Sequence, residues 1–318
     1  MTESEVPESE VPAPSGDFRS GFVALVGRPN VGKSTLLNAL VGEQVAIASY
    51  RPQTTRDKIR GIVHRPSCQI VFVDTPGIHD KDRAINRYML EEARSAIGEV
   101  DLVVLLVEAR GRGRRPDEDD EDRLVLEAVR KGGRPALLAV NKIDKLKDKT
   151  QLFGVLEAYG ETGLFEEMVP ISALKKDGIE SLLQAIEQRL PEGPAFFPEE
   201  MYTDQPERLL VGELIREQLF LQVGQEVPYS VAVEVEAFVE DPKSKRVVIH
   251  AVIYIERKSQ KGIVIGKGGK MLRSIGSEAR RAIEKLLACK VFLDLHVKVA
   301  DNWSQSLAGL NRVGYRKG

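Results

Sequence analysis

The chain's 318 residues are too many for one ordinary domain and enough for two, since domains usually run to roughly 100–200 residues. With 42% apolar and 30% charged residues the composition is globular and soluble, which excludes a disordered, fibrous or membrane-embedded chain. The formal net charge of −2 excludes a protein that is basic throughout, yet it conceals a strong internal polarity.

Residues 1–17 repeat Glu-Ser-Glu-Val-Pro at Glu3–Pro7 and Glu8–Pro12. Several like charges and almost nothing to bury predict a disordered acidic tail, unlike the basic-then-apolar start of an export signal. Residues 18–190 are expected to form the first domain. Phe22–Val26, Ile70–Val73, Leu102–Val107, Ala136–Val140 and Met168–Ile171 read as buried strands. Between them Lys33–Val41, Ala84–Ile97, Arg123–Lys131, Leu152–Tyr159 and Ile179–Leu190 have helical spacing. This alternation implies an α/β fold, a mostly parallel sheet wrapped by helices. Arg110 to Asp122 reads as an exposed loop. Even the longest apolar stretch, Leu102 to Val107, is far below the about 20 residues that cross a bilayer.

Four prolines, a glycine and several acids place a linker at 191–206, and residues 207–318 follow as a smaller α+β domain. Glu207–Phe220 has a helix pattern; Tyr229–Val239 and Val247–Glu256 alternate in period two across Asp241-Pro242-Lys243-Ser244, as an antiparallel hairpin does. After a glycine cluster, Arg273–Cys289 reads as a helix and Val291–Val299 as a strand, giving the order helix, strand, strand, helix, strand. Trp303 is expected to anchor the C-terminal segment. Cys68 and Cys289 have neither zinc nor disulfide spacing, which fits a reducing cytoplasm, and His64, His79, His250 and His296 are too scattered for a triad or a metal site.

Three strand ends carry chemistry. Gly27-Arg28-Pro29-Asn30-Val31-Gly32-Lys33-Ser34-Thr35 joins the first strand to the first helix, the setting of a phosphate loop. Its backbone N–H groups can surround phosphates at a helix N-terminus, Lys33 adds a cation, and the Ser34 hydroxyl can ligate Mg²⁺. Asp74-Thr75-Pro76-Gly77 ends an apolar strand, putting Asp74 where it can hold Mg²⁺ and the Gly77 N–H where it can meet a γ-phosphate. Asn141-Lys142-Ile143-Asp144 ends another; the Asp144 carboxylate can accept from guanine N1–H and its exocyclic amine, donors adenine lacks there. Ser172 and Ala173 would meet the guanine O6 through their backbone. The nucleotide expected is GTP, hydrolysed to GDP.

These elements match the translation-factor-like class of GTPases, and Arg28-Pro29-Asn30 with Gln53-Thr54-Thr55-Arg56-Asp57 resembles the Era subfamily. Lys261-Gly-Ile263-Val264-Ile265-Gly266-Lys267-Gly268-Gly269-Lys270 is similar to the glycine loop of a type II KH RNA-binding domain. The resemblance covers about Gly21 to Ala300. It implies that residues 53–57 form the first switch and that one threonine of its pair, Thr55 by preference, ligates Mg²⁺. Asn30 lies where related GTPases bind K⁺. Ile78 occupies the place of the water-orienting glutamine of Ras-like proteins, which implies slow hydrolysis.

Around the glycine loop Arg257, Lys258, Lys261, Lys267, Lys270, Arg273, Arg280, Arg281, Lys285 and Lys290 outweigh Glu278 and Glu284, the footprint of a polyanion-binding surface. In a KH domain this loop clamps about four nucleotides while Ile263, Val264 and Ile265 flank a groove for the bases. The resemblance implies single-stranded ribosomal RNA as ligand, specifically the 3′ end of the small-subunit 16S RNA, and small-subunit assembly as the process. It implies a cytoplasmic monomer, with membrane association, if any, peripheral at the inner face. One rival is a GTP-regulated RNA-modifying enzyme, against which stands the lack of a cysteine, histidine and carboxylate cluster after the linker. Another is an RNA-binding module with a degenerate nucleotide site, against which stand Lys33, Ser34, Asp74 and Asp144.

Overall fold

The computed structural model describes residues 18–47, 56, 58–78, 84–109, 120–224, 227–241 and 246–315. The acidic tail, Gln53, Thr54, Thr55, Asp57, His79, the loop before Asp120 and the turn at 242–245 lie outside the described residues.

The first body runs β1 (Arg19–Gly27), α1 (Lys33–Val41), β2 (Ile59–Arg65), β3 (Cys68–Asp74), α2 (Ala84–Gly98), β4 (Leu102–Glu108), α3 (Asp120–Gly132), β5 (Ala136–Asn141), α4 (Gln151–Gly160), β6 (Glu167–Pro170) and α5 (Ile179–Glu187). Its sheet has the order β2-β3-β1-β4-β5-β6, parallel throughout except for β2. The central strands are continuous apolar runs because both faces are covered. Val23, Leu25 and Phe72 point to one side, against Leu36 and Leu37 of α1 and Leu182 and Ile186 of α5. Ala24, Val26 and Val103 point to the other, against Ala93 and Ile97 of α2, Val125 of α3 and Val155 of α4.

Strand β2 is absent from the sequence reading. It is an edge strand whose turn toward solvent leaves only Ile59, Gly61 and Ile62 buried, too few to register as a period. Its outer edge is covered by the segment expected to be a linker. The Ile62 N–H donates to the Tyr202 carbonyl (2.9 Å), the Thr203 hydroxyl to the Arg60 carbonyl (2.6 Å), and Arg60 pairs with Asp204 (3.0 Å). Gln69 accepts from the Phe196 and Phe197 N–H groups at 2.6 and 3.0 Å. Residues 191–206 are therefore a strap that blunts a sheet edge.

The second body comprises α6 (Glu207–Gln222), β7 (Val231–Asp241), β8 (Arg246–Ile255), α7 (Lys258–Ile265), α8 (Lys270–Leu287) and β9 (Lys290–Val299). Its sheet has the order β7-β8-β9, antiparallel then parallel, with a bulge between Val235 and Ala237. The three helices bury one face, where Ile215 of α6 and Ile275, Ala279 and Ile283 of α8 meet Ile249, Ile253 and Val291. The expected order of elements lacked α7. That helix is short, has Gly262 inside it, and buries only Val264, so it leaves no amphipathic stripe to read. On the outer sheet face His250 and His296 are not scattered: both lie within hydrogen-bonding distance of Asp294 Oδ2, at 3.2 and 3.1 Å.

Beyond β9, Trp303 is buried and donates from Nε1 to the Ser230 carbonyl (3.1 Å). With Tyr315 and α9 (Leu307–Arg312) it packs on Ala84, Ile85, Tyr88 and Met89 of α2, so the anchor joins the two bodies. No helix among the described residues is long and apolar enough to cross a membrane.

Candidate nucleotide and RNA sites

The phosphate loop, Asp74, Asn141 and Ser172 all emerge at the C-terminal ends of parallel strands, where the loops of adjacent strands converge. Gly32 caps α1 with φ 104°, a left-handed conformation in which an added Cβ would also collide with the Asn141 amide. Lys33 is buried and its ammonium donates to the Gly27 and Arg28 carbonyls, at 3.1 and 3.0 Å. Burial lowers its pKa to about 8, with the charge of Asp74 acting the other way. The Ser34 hydroxyl donates to Asp74 Oδ2 at 2.7 Å, both groups out of water. A buried hydroxyl and carboxylate side by side form a hard-oxygen set that fits Mg²⁺.

Two cross-braces were not legible in the sequence. Arg28 pairs with Glu121 (2.8 Å) and Asp122 (3.2 Å) at the start of α3, fixing the outer rim of the loop. Lys142, left-handed at φ 67°, reaches across to donate to the Asn30 carbonyl (2.6 Å) and pairs with Glu108 (3.3 Å) at the end of β4. Acids at a helix start and a strand end were their only signals. Asn30 is itself left-handed at φ 65°, a conformation asparagine tolerates, and its side chain is on the exposed rim.

The loops expected to meet guanine are braced from behind. Asn141 donates from Nδ2 to the Val31 carbonyl (2.7 Å), and its Oδ1 accepts from the N–H groups of Lys142 (2.8 Å) and Ala173 (3.0 Å). One side chain thus ties the phosphate loop to both base-side loops. The Ser172 hydroxyl donates to Asp144 Oδ1 at 2.5 Å, aiming an otherwise exposed carboxylate.

Thr75 is bonded through its hydroxyl to the Leu25 carbonyl (2.8 Å), and Gly77 abuts the loop so closely that a Cβ would lie 2.8 Å from the Pro29 nitrogen. Ile78 is fully buried and its N–H donates to the Gly27 carbonyl (3.3 Å), so residue 78 is a core side chain. Of the expected first switch, only Arg56 is described, and it points away into the second body.

In the second body Gly266, Gly268 and Gly269 have φ of 70°, 60° and 74°, and a Cβ at Gly266 would strike Met271. Lys261, Lys267 and Lys270 are exposed around them. Arg273 Nη2 donates to the Gly268 carbonyl (2.6 Å), so this cation braces the loop. Of the three residues expected to flank a base groove, Ile263 is 49% exposed and Ile265 half-buried, but Val264 is 0% exposed and belongs to the core. Val264 cannot touch a base in this arrangement.

The sequence profile of a family described as 50S ribosome-binding GTPases matches residues 22–142, and that of the KH domain matches residues 226–304. GTPase Era of Geotalea uraniireducens is 49% identical over 298 residues, covering 94% of this chain and 98% of that protein. GTPase Era of Xanthomonas axonopodis pv. citri is 48% identical over 308 residues, covering 96% and 99%. A crystal structure of Era in complex with MgGDPNP and nucleotides 1506–1542 of 16S ribosomal RNA superposes with TM-score 0.89 at 35% identity, covering 94% of this chain and all of that one. A single-substitution variant of Aquifex aeolicus Era bound to GDP·AlF4⁻ gives 0.88 at 35% identity with the same coverage. With identity at this level along nearly the whole length, and a phosphate loop, a guanine loop and a KH glycine loop in their places, the chain belongs to the Era family of GTPases.

Proposed function

We propose that the protein is a GTP-hydrolysing switch that binds the single-stranded 3′ end of 16S ribosomal RNA through its second body and acts in small-subunit assembly. The carrying observation is the convergence at one sheet edge of Lys33, the Ser34–Asp74 pair and the Asn141-braced base loops, in a chain that also holds a basic KH glycine loop. The relative crystallised with nucleotides 1506–1542 of 16S RNA supports the choice of ligand.

In this reading residues 18–190 are the nucleotide unit and 207–318 the RNA unit. Lys33 leaves the loop carbonyls to meet the β- and γ-phosphates, and Gly77 offers its N–H to the γ-phosphate. Ser34, Asp74 and Thr55 would hold Mg²⁺, which supplies charge neutralisation across the phosphates. Asp144 accepts from guanine N1–H and its amine, while Ser172 and Ala173 meet O6. With Ile78 in the core, no side chain there orients water, so intrinsic turnover is slow. Asn30 would hold K⁺ at the exposed rim; exchange of K⁺ for Na⁺ should then slow turnover, and Asn30→Ala should erase that difference. The protein is monomeric and cytoplasmic, and any contact with the inner face of the membrane is peripheral.

Fluorescent-nucleotide titration with GTP and ATP, followed by crosslinking and sequencing of the bound RNA, tests the proposal. Preference for GTP and reads concentrated at the 16S 3′ end are expected. Equal affinity for the two nucleotides, or reads scattered over unrelated RNA, would overturn it.

A further inference from the structure

The outward face of the second sheet divides in two. At one end Ala232 and Tyr254 pack with Trp303 and its neighbours, which close that part. Farther along the same face the register sets Val248 beside Phe292, His250 beside Asp294 and Val252 beside His296. These point outward because Ile249, Ile253 and Val291, which alternate with them, turn to the core. Phe292 is 48% exposed, and the side chains of His250 and His296 are 42% and 62% exposed.

Three rings and several cations therefore share one open surface. Phe292 meets His250 edge-on, with centroids 6.4 Å apart, and the Arg246 guanidinium carbon stands 5.9 Å from the Phe292 centroid. The shared oxygen of Asp294 holds both imidazoles in place. At the two ends of β9 stand Lys290, 3.7 Å from Glu284, and Lys298, 2.9 Å from Glu236; both ammonium-bearing chains are mostly exposed. A lone exposed phenylalanine is ordinary on a protein surface. Preset rings interleaved with a guanidinium and lysines match what an unpaired nucleic-acid strand needs, since bases stack on rings while phosphates meet cations.

Position adds to the chemistry. Strand β9 is an edge of the sheet, and its Leu293 and Leu295 pack into the core beneath α8, the helix that follows the glycine loop. One strand thus borders the glycine-loop helices on its inner side and carries the rings on its outer side. RNA continuing from the loop crosses this one strand to reach them.

Resting on the RNA reading above, we propose that the outer face of the second sheet is a further RNA subsite, where Phe292 and His250 stack unpaired bases beyond the about four nucleotides that the glycine loop clamps. Arg246 and Lys298 meet the phosphates that flank those bases.

The test titrates the full chain with an RNA of nucleotides 1506–1542 of 16S and with fragments of about four nucleotides tiled along it, read by nuclear magnetic resonance so that weak binding is seen. The fragment used is one whose binding is lost when Lys267 and Gly268 are changed to aspartate. Phe292→Ala should weaken the long RNA about 5- to 150-fold, the range for one lost base stack, and leave the fragment within about twofold. His250→Ala should likewise act on the long RNA alone. Phe292→Trp keeps a ring at the position and should restore long-RNA affinity. A merely structural Phe292 would lower the melting temperature without separating the two RNAs. Equal losses for long RNA and fragment, long-RNA affinity unchanged in folded Phe292→Ala, or failure of Phe292→Trp to restore it would overturn the subsite; the unchanged case would assign the face to a protein partner or to solvent. Failure of the unmodified protein to bind the long RNA at all would instead overturn the parent reading.

Discussion

At the C-terminal edge of the six-stranded sheet, the groups proposed to meet the nucleotide are held from behind by others. Asn141 ties three loops together, Ser172 aims Asp144, and Lys33 is buried on the loop it serves. The glycine loop of the second body is built the other way: its lysines are exposed and, among the described residues, Arg273 is the one side chain seen bonded to the loop backbone. A small ligand that must be told from near neighbours needs dry, over-determined hydrogen bonds, because rejection comes from leaving buried groups unpaired. A flexible polyanion needs exposed charge, and the resulting attraction is graded and salt-dependent.

The contrast can be sharpened first at the base. GTP should bind at least ~10⁴-fold better than ATP, and Asp144→Asn should weaken GTP while improving xanthosine triphosphate, whose 2-oxo group accepts from the new amide. Competition titrations with the three nucleotides measure this; parity of ATP and GTP would break the contrast.

At the phosphates the effect is smaller and follows pH. Burial lowers Lys33 from 10.5 to about 8, so the free folded protein favours the neutral amine above pH 8 while the unfolded chain stays charged up to 10.5. Stability of the free protein should therefore rise between those values, since the unfolded state holds the extra proton. Nucleotide affinity should move oppositely, falling about tenfold per pH unit above 8, because the phosphates require the ammonium. Calorimetric titrations from neutral pH upward check the sign, and Lys33→Ala should abolish binding at every pH.

In the second body Lys267→Ala with Lys270→Ala should flatten the dependence of RNA affinity on salt by about 1.4 in the log–log slope, at about 0.7 per phosphate contact. The same salt series should leave the preference for GTP over ATP unchanged. Smallest in function is Ile78→Ala. It empties a core site and should cost about 2–5 kcal/mol of stability by thermal unfolding. Hydrolysis per folded molecule should stay within a small factor, since that side chain lies in the core.

What was legible in the sequence follows the same division. Strand-end motifs are local, so Lys33, Asp74, Asn141 and Asp144 could be placed at one sheet edge from alternation alone. Gly32 and Gly268 were legible only as members of glycine loops; that both take left-handed backbone is seen in the fold. Edge strand β2 and the strap beside it could not, because Ile62 and Tyr202 lie far apart in sequence and meet through backbone hydrogen bonds that any residues could make. Val264 looked like part of a groove because an apolar triplet beside a glycine loop does not say which residue turns inward; helix α7 decides that. Arg56 read as one letter of a switch motif, and nothing local announces that its partners are Val231 and Tyr315.

The division between the two regions is tested most directly by changing Lys267 and Gly268 together to aspartate in the full chain. Both positions are exposed, and a Cβ at Gly268 meets nothing within 4 Å, although its positive φ adds some backbone strain. The variant, shown by circular dichroism to be folded, should lose affinity for single-stranded RNA while its GTP affinity and turnover without RNA match those of the unmodified protein. Unchanged RNA affinity and salt slope would contradict the account, as would GTP affinity that fell together with RNA binding.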